Sequence, residues 1–426
     1  MRMMTNSNRR QVMAGLAGLG LAGPALAQAD SLIPDGDMDQ SAAMQAAIDG
    51  AFRDGYLRLP PGHFWVSGLR IPGNLVIEGV PGATALIANG GSIGAVEGQY
   101  HVSLRDIAFA GDSGGDSLFS VSQSRNVSFE RCLFSDSPGI GLAIDNSEAV
   151  VRDCGFSGHG DAAIHALDNS GLLLTGNRIT RCGNAGIRVW RSEEGPDGTI
   201  VANNRISDIA WVGGGNGQNG NGINIFRADE VIVAGNHISD CAFTAVRLNT
   251  TRNVQVSGNQ CLNSGEVAIF SEFGFSGSII AQNIVDGAAT GISITNLDSG
   301  GKIAVCTGNI VRNILERSPV NPDTIPIGIF AEGETAITGN MVDNVPGVGI
   351  GAGWGPYLRN VLISGNTVSA STIGIAVSIA DGAGSVTIGA NQLEGSTHDI
   401  AGMLWTEIAE PDLRAAASRY PHVTFS

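Results

Sequence analysis

The sequence predicts an all-β protein: a single right-handed parallel β-helix solenoid of about 12 coils, with an N-terminal capping helix and a short C-terminal helix. Three observations lead to this fold class. A short motif centred on asparagine recurs along the chain, short runs of alternating apolar residues flank each copy, and 61 glycines stand against only 15 prolines. Sharp turns between many short strands need glycine, whereas a disordered chain is usually rich in both residue types.

The asparagine motif occupies one register nine times. Together with three upstream copies that hold Cys154, Cys132 and Ile107, it has a mean period of about 26 residues. Parallel strands lie about 4.8 Å apart, so the amide of each Asn can bond the equivalent Asn of the next coil. We therefore interpret this register as a structural ladder rather than as catalytic residues. Its nine members are Asn177, Asn204, Asn236, Asn259, Asn283, Asn309, Asn340, Asn366 and Asn391.

Three strand patterns follow one another in each repeat. Apolar residues alternate just before the ladder Asn, as in residues 231–233, and one or two more follow it. A third run comes after a glycine-rich turn, as in residues 186–189. Alternation with a period of two is typical of strands, because successive side chains point to opposite faces. Three strands between bends predict a triangular coil.

The N-terminal residues 1–27 predict an export signal. They contain Arg9 and Arg10, a Gly/Ala-rich apolar run and the cleavage pattern of residues 25–27, and the composition favours the twin-arginine route over the Sec route. We therefore expect a periplasmic or secreted protein. Removal of this segment, which holds three arginines and no acid, changes the formal net charge from −16 to −19. Such a charge repels nucleic acid and anionic lipids, and no apolar stretch is long enough to span a membrane as a helix.

The expected organisation has four parts. They are the signal peptide at 1–27, the N-terminal cap and first strands at 28–66, the β-helix repeats at 67–405 and the C-terminal cap at 406–426. In the N-terminal cap, Met44, Ile48 and Phe52 are spaced to share one face of a helix that begins near Asp39 or Ser41. Residues 411–419 predict a short closing helix.

A family resemblance supports this fold. Residues 39–66 combine the helical pattern with a Leu-Pro-Pro-Gly turn and resemble the N-terminal segment of pectate-lyase-like β-helix proteins. With the arginine pair in the leader, the repeats resemble a twin-arginine-translocated repeat family of unknown function, over roughly residues 70–400. The resemblance implies the fold but no single activity, because this fold hosts lyases, hydrolases, epimerases, adhesins and plain binding proteins.

The candidate site is a strip of outward-facing side chains on the third strands. Two long insertions, at 212–221 and 317–326, leave the coils at the same edge and would frame a groove over this strip. We expect the first outward position to hold Ala143, His165, Arg188, Asn224, Arg247, Ala268, Ser293 and Phe330. We expect the next outward position to hold Leu167, Trp190, Phe226, Asn249, Phe270 and Thr295.

These residue types fit carbohydrate chemistry. Aromatic faces stack on sugar rings, and Arg and Asn donate paired hydrogen bonds to hydroxyl or carboxylate groups. The expected substrate-binding residues are Trp190, Asn224, Phe226, Asn249, Phe270 and Thr295. A lyase or epimerase that acts on an acidic polysaccharide needs a base and a cation beside the substrate carboxylate, which makes His165, Arg188 and Arg247 the candidate catalytic residues. In the structural alternative, the insertions are merely tolerated and the aromatic residues shield the sheet.

Other residue clusters predict local structure more than chemistry. Asp145 and Asp168 are expected to stack in consecutive coils, where Asx turns are favoured over a calcium site. Asp161 beside His159 is interpreted as turn polarity. Cys132 and Cys154 fall on neighbouring coils, close enough for a disulfide, although buried free thiols are favoured. No metal-binding motif is present, and we expect no cofactor.

The function that the sequence supports is therefore broad. We expect an exported protein that binds or modifies a polysaccharide or envelope glycan, with lyase or epimerase action as one form of that role. The alternative is a non-catalytic glycan-binding protein, or a scaffold or maturation protein that resembles the β-helix subunit of nitrous-oxide-reductase assembly. The sequence identifies no protein partner.

Overall fold

A computed structural model describes residues 27–28, 32–111, 114–215 and 217–426 and forms a parallel β-helix of about 14 coils. The predicted fold class is confirmed, with slightly more coils than expected. The predicted signal peptide lies outside the described residues except for Ala27. No helix in the described part of the chain is long and apolar enough to cross a membrane.

The first sheet collects the strands that precede the ladder position in each coil, and all neighbours in it are parallel. Its strands are Ala27–Gln28, Tyr56–Arg58, Leu75–Glu78, Tyr100–Arg105, Arg125–Glu130, Ala149–Arg152, Leu173–Thr175, Ile200–Ala202, Ile232–Ala234, Gln255–Ser257, Ser276–Ala281, Lys302–Thr307, Thr335–Thr338, Val361–Ser364, Val386–Ile388 and Val423–Phe425.

The other two strand positions of each coil hydrogen-bond into a second, larger sheet. Four long strands run through both positions: Gln260–Glu272, Ile284–Ile294, Met341–Ala352 and Thr367–Ser378. The shorter strands after the ladder position are Gly62–Val66, Thr84–Ala88, Ala108–Ala110, Leu133–Ser135, Gly155–Ser157, Arg178–Cys182, Arg205–Ile209, His237–Cys241, Ile310–Arg312 and Gln392–Glu394. The third strands that are separate elements are Leu69–Arg70, Gly94–Glu97, Ser117–Ser122, Ile140–Asp145, Ala162–Leu167, Ala185–Pro196, Asn221–Asp229, Val246–Asn249, Ile327–Ala331 and His398–Leu404, the last paired antiparallel with Glu407–Glu410.

The predicted asparagine ladder is continuous from Asn177 to Asn391. Each Nδ2 donates to the Oδ1 of the next Asn at 2.9–3.0 Å, and that same oxygen accepts the backbone N–H of the preceding Asn. The second N–H of the amide reaches a backbone carbonyl, as from Asn259 to Val233 at 3.0 Å. The ladder thus satisfies buried turn backbone in every coil that it crosses.

Inward-facing apolar side chains form one core along the whole axis. In its N-terminal half, Phe109, Phe134 and Phe156 stack on one another with ring centroids 4.9 and 4.7 Å apart. All six cysteines lie within this core and are free, so no disulfide joins Cys132 to Cys154. Burial, with the neighbouring Cys154 thiol, raises the pKa of Cys132.

The ends of the solenoid differ in two details from the expectation. The capping helix spans Ser41–Ala51 and buries Met44, Ile48 and Ala51, whereas Phe52 is 51% exposed. The expectation for Phe52 was wrong because Ala51, three residues after Ile48, completes the buried face. At the other end the closing helix is only the 3₁₀ turn Ala417–Arg419, and the chain then adds a final strand to the first sheet.

Candidate functional site

The outward side chains of the third strands form two parallel columns, which together we call the strip. The pairing register sets the first column as Ala143, His165, Arg188, Asn224, Arg247, Phe270, Ser293 and Phe330. The second column is Leu167, Trp190, Phe226, Asn249, Glu272, Thr295 and Glu332.

This register corrects the expectation for one coil. Phe270, not Ala268, pairs with Arg247, and Glu272 takes the place that the sequence analysis gave to Phe270. Ala268 is fully buried. Relative to the next coil, this strand also carries one extra residue between Ser264 and Val267. A shift of two residues keeps every side chain on its original face, so the alternation of apolar residues does not reveal it.

The two long insertions fold over the strip from the same edge. In the first, the Asn219 Oδ1 accepts a hydrogen bond from Arg188 at 3.0 Å, and Gly217 lies so close to Arg247 that a Cβ there would be 2.5 Å from its Cζ. In the second, the Asn321 Nδ2 donates to Glu266 at 2.8 Å and Ser318 donates to the Gly265 carbonyl at 2.6 Å. The loops therefore form one side of a groove over the strip, and hydrogen bonds hold them to polar groups in and beside it.

Two cavities lie along the strip under these loops. The first, about 230 Å³, is lined by Trp190, Gly217, Gln218, Asn224, Phe226, Arg247, Asn249, Glu272 and Phe273. The second, about 320 Å³, is lined by residues that include Glu266, Phe270, Ser293, Thr295, Asn321, Asp323, Phe330, Glu332 and Trp354. All six predicted substrate-binding residues therefore line one cavity or the other. Of the three predicted catalytic residues, only Arg247 does so.

A buried ionic cluster separates the two cavities. Arg247 donates to both carboxylate oxygens of Glu272, from Nε at 2.7 Å and from Nη2 at 2.9 Å, and to Glu266 from Nη1 at 3.1 Å. The three side chains are 7%, 4% and 5% exposed, respectively. Thr244 donates to Glu266 at 3.2 Å and Asn249 to Glu272 at 2.9 Å. The cluster carries one positive and two negative charges, so Arg247 is already neutralised from within the protein.

Arg188 is held in the same way two coils earlier. Its two terminal nitrogens donate to the two oxygens of Asp161, each at 2.8 Å. Burial acts to raise the pKa of Asp161, but the hydrogen bonds and charge of Arg188 outweigh it and leave that pKa below its ordinary value. The interpretation of Asp161 as mere turn polarity therefore missed its partner, which lies in the next coil. His159 is buried in the core behind this turn, and both its ring nitrogens lack a hydrogen-bond partner among the described residues.

His165 lies in the first column one coil before Arg188, outside the first cavity. Its ring meets Trp190 edge-on with centroids 5.3 Å apart. Burial lowers the pKa of His165, and the nearby charge of Arg188 lowers it further, against a smaller opposite effect of Asp161. The imidazole is therefore neutral at pH 7, as a general base must be, but it lines neither cavity.

The aromatic side chains lie next to the ionic groups in the strip. Trp190 and Phe226 pack edge to face at 6.0 Å, with the Arg227 guanidinium 4.8 Å from the Phe226 ring. The corrected register places the Phe270 ring 4.9 Å from the Cζ of Arg247. Cationic groups beside aromatic rings are favourable and hold these rings in place. The strip thus presents fixed aromatic edges and fixed polar groups side by side.

Glu332 is the group in the second cavity that sequence reasoning missed. It is 7% exposed and accepts a hydrogen bond from the Leu297 N–H at 2.8 Å. Burial raises the pKa of Glu332 to about 7, against the backbone N–H groups that lower it. The residue continues the second column just beyond Thr295, so extending that column by one more coil would have found it.

No group of three or more His, Cys, Asp or Glu in the described ranges is placed to hold a metal ion. Asp145 pairs with Leu167 rather than with Asp168, which corrects the expected stacking of the two aspartates by one position. Burial, followed by the charge of Asp168, raises the pKa of Asp145.

Comparison with known proteins supports the fold. No curated protein matches the chain. Among solved structures, an N-terminal fragment of bacteriophage Phi29 gene product 12 matches with a TM-score of 0.61 and 14% identity, over 88% of this chain and 72% of that one. The catalytic unit of a GH87 α-1,3-glucanase from Streptomyces thermodiastaticus matches with a TM-score of 0.55 and 14% identity, over 90% and 69%. The Streptococcus pneumoniae adhesin PfbA matches with a TM-score of 0.50 and 14% identity, over 92% and 97%.

At such identities the likeness of these structures to this chain shows a common fold and no common function. The family described as the right-handed β-helix region matches residues 93–217 and 192–309, which together make up just over half of the 426 residues. The chain therefore belongs to the right-handed β-helix family.

Proposed function

We propose that this protein binds a polysaccharide in the groove that the strip and its two loops enclose. The observation that carries the proposal is the pair of adjoining cavities lined by fixed aromatic rings and by hydrogen-bonded polar groups. From Trp190 to Glu332 the second column crosses five strand spacings, or about 24 Å, which suits an extended ligand. Sites of this composition, mainly apolar with a few oriented polar groups, are typical of small-molecule and sugar recognition.

The charge of the groove favours a neutral glycan. Arg188 and Arg247 are already paired with Asp161, Glu266 and Glu272, so neither guanidinium is free to receive a substrate carboxylate. A uronate polymer would instead meet buried carboxyl groups, at an electrostatic cost. Lyase or epimerase action on an acidic polysaccharide would require Arg247 to exchange its partners, and we place it second.

The location is part of the proposal. The arginine pair and cleavage pattern of residues 1–27 support export to the periplasm or beyond, where envelope glycans are available. Proteins of similar fold include an α-1,3-glucanase and a surface adhesin by name, so the fold is compatible with both a catalytic and a purely binding protein. No particular feature of the described residues favours a scaffold role for a protein partner.

Affinity electrophoresis tests the proposal. The purified protein is run through gels that contain neutral polysaccharides (glucans, mannan, galactan and arabinan) or, in parallel, polygalacturonate and alginate. We expect retardation by a neutral polymer, and Trp190→Ala and Phe226→Ala should each weaken binding by about 2- to 12-fold, since one aromatic contact contributes about 0.5–1.5 kcal/mol. Trp65→Ala, which removes a 40% exposed Trp far from the strip, is the matched control.

Two results would contradict the proposal. One is the absence of retardation of the wild-type protein in every gel. The other is an equal effect of the Trp65 and Trp190 substitutions, because that would place the binding surface outside the groove. Thermal unfolding of each variant, measured alongside, separates lost binding from lost folding.

A further inference from the structure

The outer face of the third strands changes character after Phe330. The first column continues there as Gly351, Ala376 and Ala401, the register partners of Phe330 in the following coils. These small residues leave room for a third cavity, of about 170 Å³. None of the described side chains that line it is charged. The end of the groove therefore differs in chemistry from the part that contains the ionic groups.

Apolar side chains form the walls of this third cavity. Ile327, Val348 and Ile373 pair with one another across three coils and belong to an apolar cluster that is separate from the main core. Trp354 and Trp405 also line the cavity, with ring centroids 5.6 Å apart and ring planes inclined by 74°. Trp405 is 50% exposed. The cavity thus has an apolar wall on the sheet and two indole rings that face solvent in part.

A sugar ring does not suit the third cavity. Among the described side chains that line it, only Thr372 and Thr406 carry a polar group, and the Thr372 hydroxyl already donates to the Pro346 carbonyl at 2.7 Å. A sugar placed here would lose hydrogen bonds to water that these side chains are too few to replace. An apolar group gains free energy when the same walls remove it from water. The cavity therefore favours an apolar part of a ligand.

The size and the walls of the cavity favour an aromatic ring over an alkyl chain. An apolar cavity of about 150 Å³ holds one benzene ring, and the volume here is about 170 Å³. Aromatic rings prefer offset or edge-to-face packing, with centroids about 4.5–7 Å apart. Phe330, Trp354 and Trp405 provide three rings around the cavity. A further ring can therefore pack against them in the geometry that the two indoles already show.

The third cavity adjoins the second. Four residues line both of them: Ile325, Ile327, Phe330 and Trp354. A sugar in the second cavity and an aromatic ring in the third would therefore be neighbours. Attachment of the ring to the sugar makes the second contact intramolecular, so that both contacts contribute to one affinity.

We propose that the ligand of this groove is a neutral glycan that carries an aromatic acyl ester, with a sugar in the second cavity and the aromatic ring in the third. The inference rests on the glycan-binding groove proposed above and names the class of glycan that the groove selects. An ester of a sugar hydroxyl keeps the ring within one short linkage of the sugar, as the common wall of the two cavities requires. An unsubstituted glycan would leave the third cavity to water.

Affinity electrophoresis of the full-length protein with esterified polymers tests the inference. Each neutral polysaccharide of the panel is used plain, and acetylated, hexanoylated or benzoylated to the same degree. We expect the benzoylated polymer to bind about 10- to 100-fold more tightly than the plain and acetylated ones, because most of one ring is removed from water. Removal of the benzoyl groups with alkali should abolish the gain.

Two substitutions locate the gain in the third cavity. Ala376→Leu extends a side chain into the cavity and should remove most of the benzoyl gain while binding of the plain polymer stays unchanged. Trp405→Ala removes one wall and should reduce the gain by about 2- to 12-fold. The controls are Ala143→Leu, the same change in the first column outside all three cavities, and Trp65→Ala. Thermal unfolding of each variant shows whether it is folded.

The outcomes separate this inference from the proposed function. If a plain polymer is bound and benzoylation does not tighten binding, the inference is overturned and the glycan groove stands. Binding of benzoylated polymers alone, lost in Ala376→Leu, would support the third cavity and contradict the binding of plain glycans. If no polymer is bound, both fail.

Two other occupants of the third cavity are tested at the same time. An equal gain from the hexanoyl and benzoyl esters would overturn the aromatic assignment in favour of an alkyl chain. Sedimentation velocity tests a second copy of this protein as the occupant. A dimer that Trp405→Ala converts to a monomer would show that the protein itself covers the cavity, and would overturn the inference.

Discussion

Replacement of Arg247 by Met tests whether the buried ionic cluster holds the groove together. The substitution keeps most of the apolar stem but removes a guanidinium that donates at 2.7–3.1 Å to Glu266 and Glu272, whose side chains are 5% and 4% exposed. Two carboxylates are then buried without a cation. Removal of one partner of a buried ion pair costs about 3–5 kcal/mol, and the mutual repulsion of the two glutamates adds to the upper end of this range.

Urea denaturation at pH 7 measures this cost, and Arg205→Met serves as the control because Arg205 is exposed in a neighbouring coil. We expect a loss of about 3–5 kcal/mol for Arg247→Met and less than about 0.5 kcal/mol for Arg205→Met. The double variant Arg247→Met/Glu272→Met, which removes one of the stranded charges, should recover part of the loss.

A result of less than about 1 kcal/mol for Arg247→Met would refute the reasoning, because it would show that the two carboxylates are hydrated and not buried with the arginine. The groove would then contain a free cation and free acids. In that event an acidic glycan would become the better candidate ligand.

Three further predictions follow from the same structure. Asn259→Ala removes the oxygen that accepts hydrogen bonds from both the backbone N–H and the Nδ2 of Asn236. The free energy of unfolding, measured by urea titration, should fall by about 2–6 kcal/mol. A loss below about 1 kcal/mol would show that the ladder does not stabilise the fold. Burial raises the pKa of Glu332 from its ordinary 4.5 to about 7 in the folded state, so the contribution of Glu332 to stability is fully present below pH 4.5 and is lost as the pH rises through 7. In urea titrations, the free energy of unfolding of the wild type relative to Glu332→Gln should fall by about 3 kcal/mol between pH 4 and 8, and parallel curves for the two proteins would contradict the assignment. All six cysteines are free and buried, so a thiol reagent should label none of them in the folded protein and all six after unfolding. Fewer than six labelled cysteines after unfolding without reductant would indicate a disulfide.

The architecture could be predicted because each coil uses the same residue types at the same positions, so that the sequence is periodic. A stacked coil must satisfy the same turn backbone each time, and Asn259 and its equivalents therefore recur at one spacing. The inside and outside faces of the third strands followed from alternation alone, and the two insertions marked the edge that carries the groove. These features are local in sequence or strictly periodic.

The acids of the site could not be predicted in the same way. Glu266 lies just before the third-strand part of Gln260–Glu272, and Asp161 lies at the equivalent position four coils earlier. Each meets its arginine in a neighbouring coil, so neither pair forms a local motif. Glu272 was missed because the sequence analysis placed this third strand two residues too early, and an error of two residues preserves the apolar alternation. Side-chain pairing across coils depends on the exact register, which hydrophobic pattern defines only to within two residues.

The most direct test of the central claim is a crystal structure with a short oligosaccharide of whichever polymer retards the protein in the gel. The account predicts sugar density along the second column from Trp190 to Glu332, under the two loops. Density confined to another face of the solenoid, with this groove filled only by water, would contradict it.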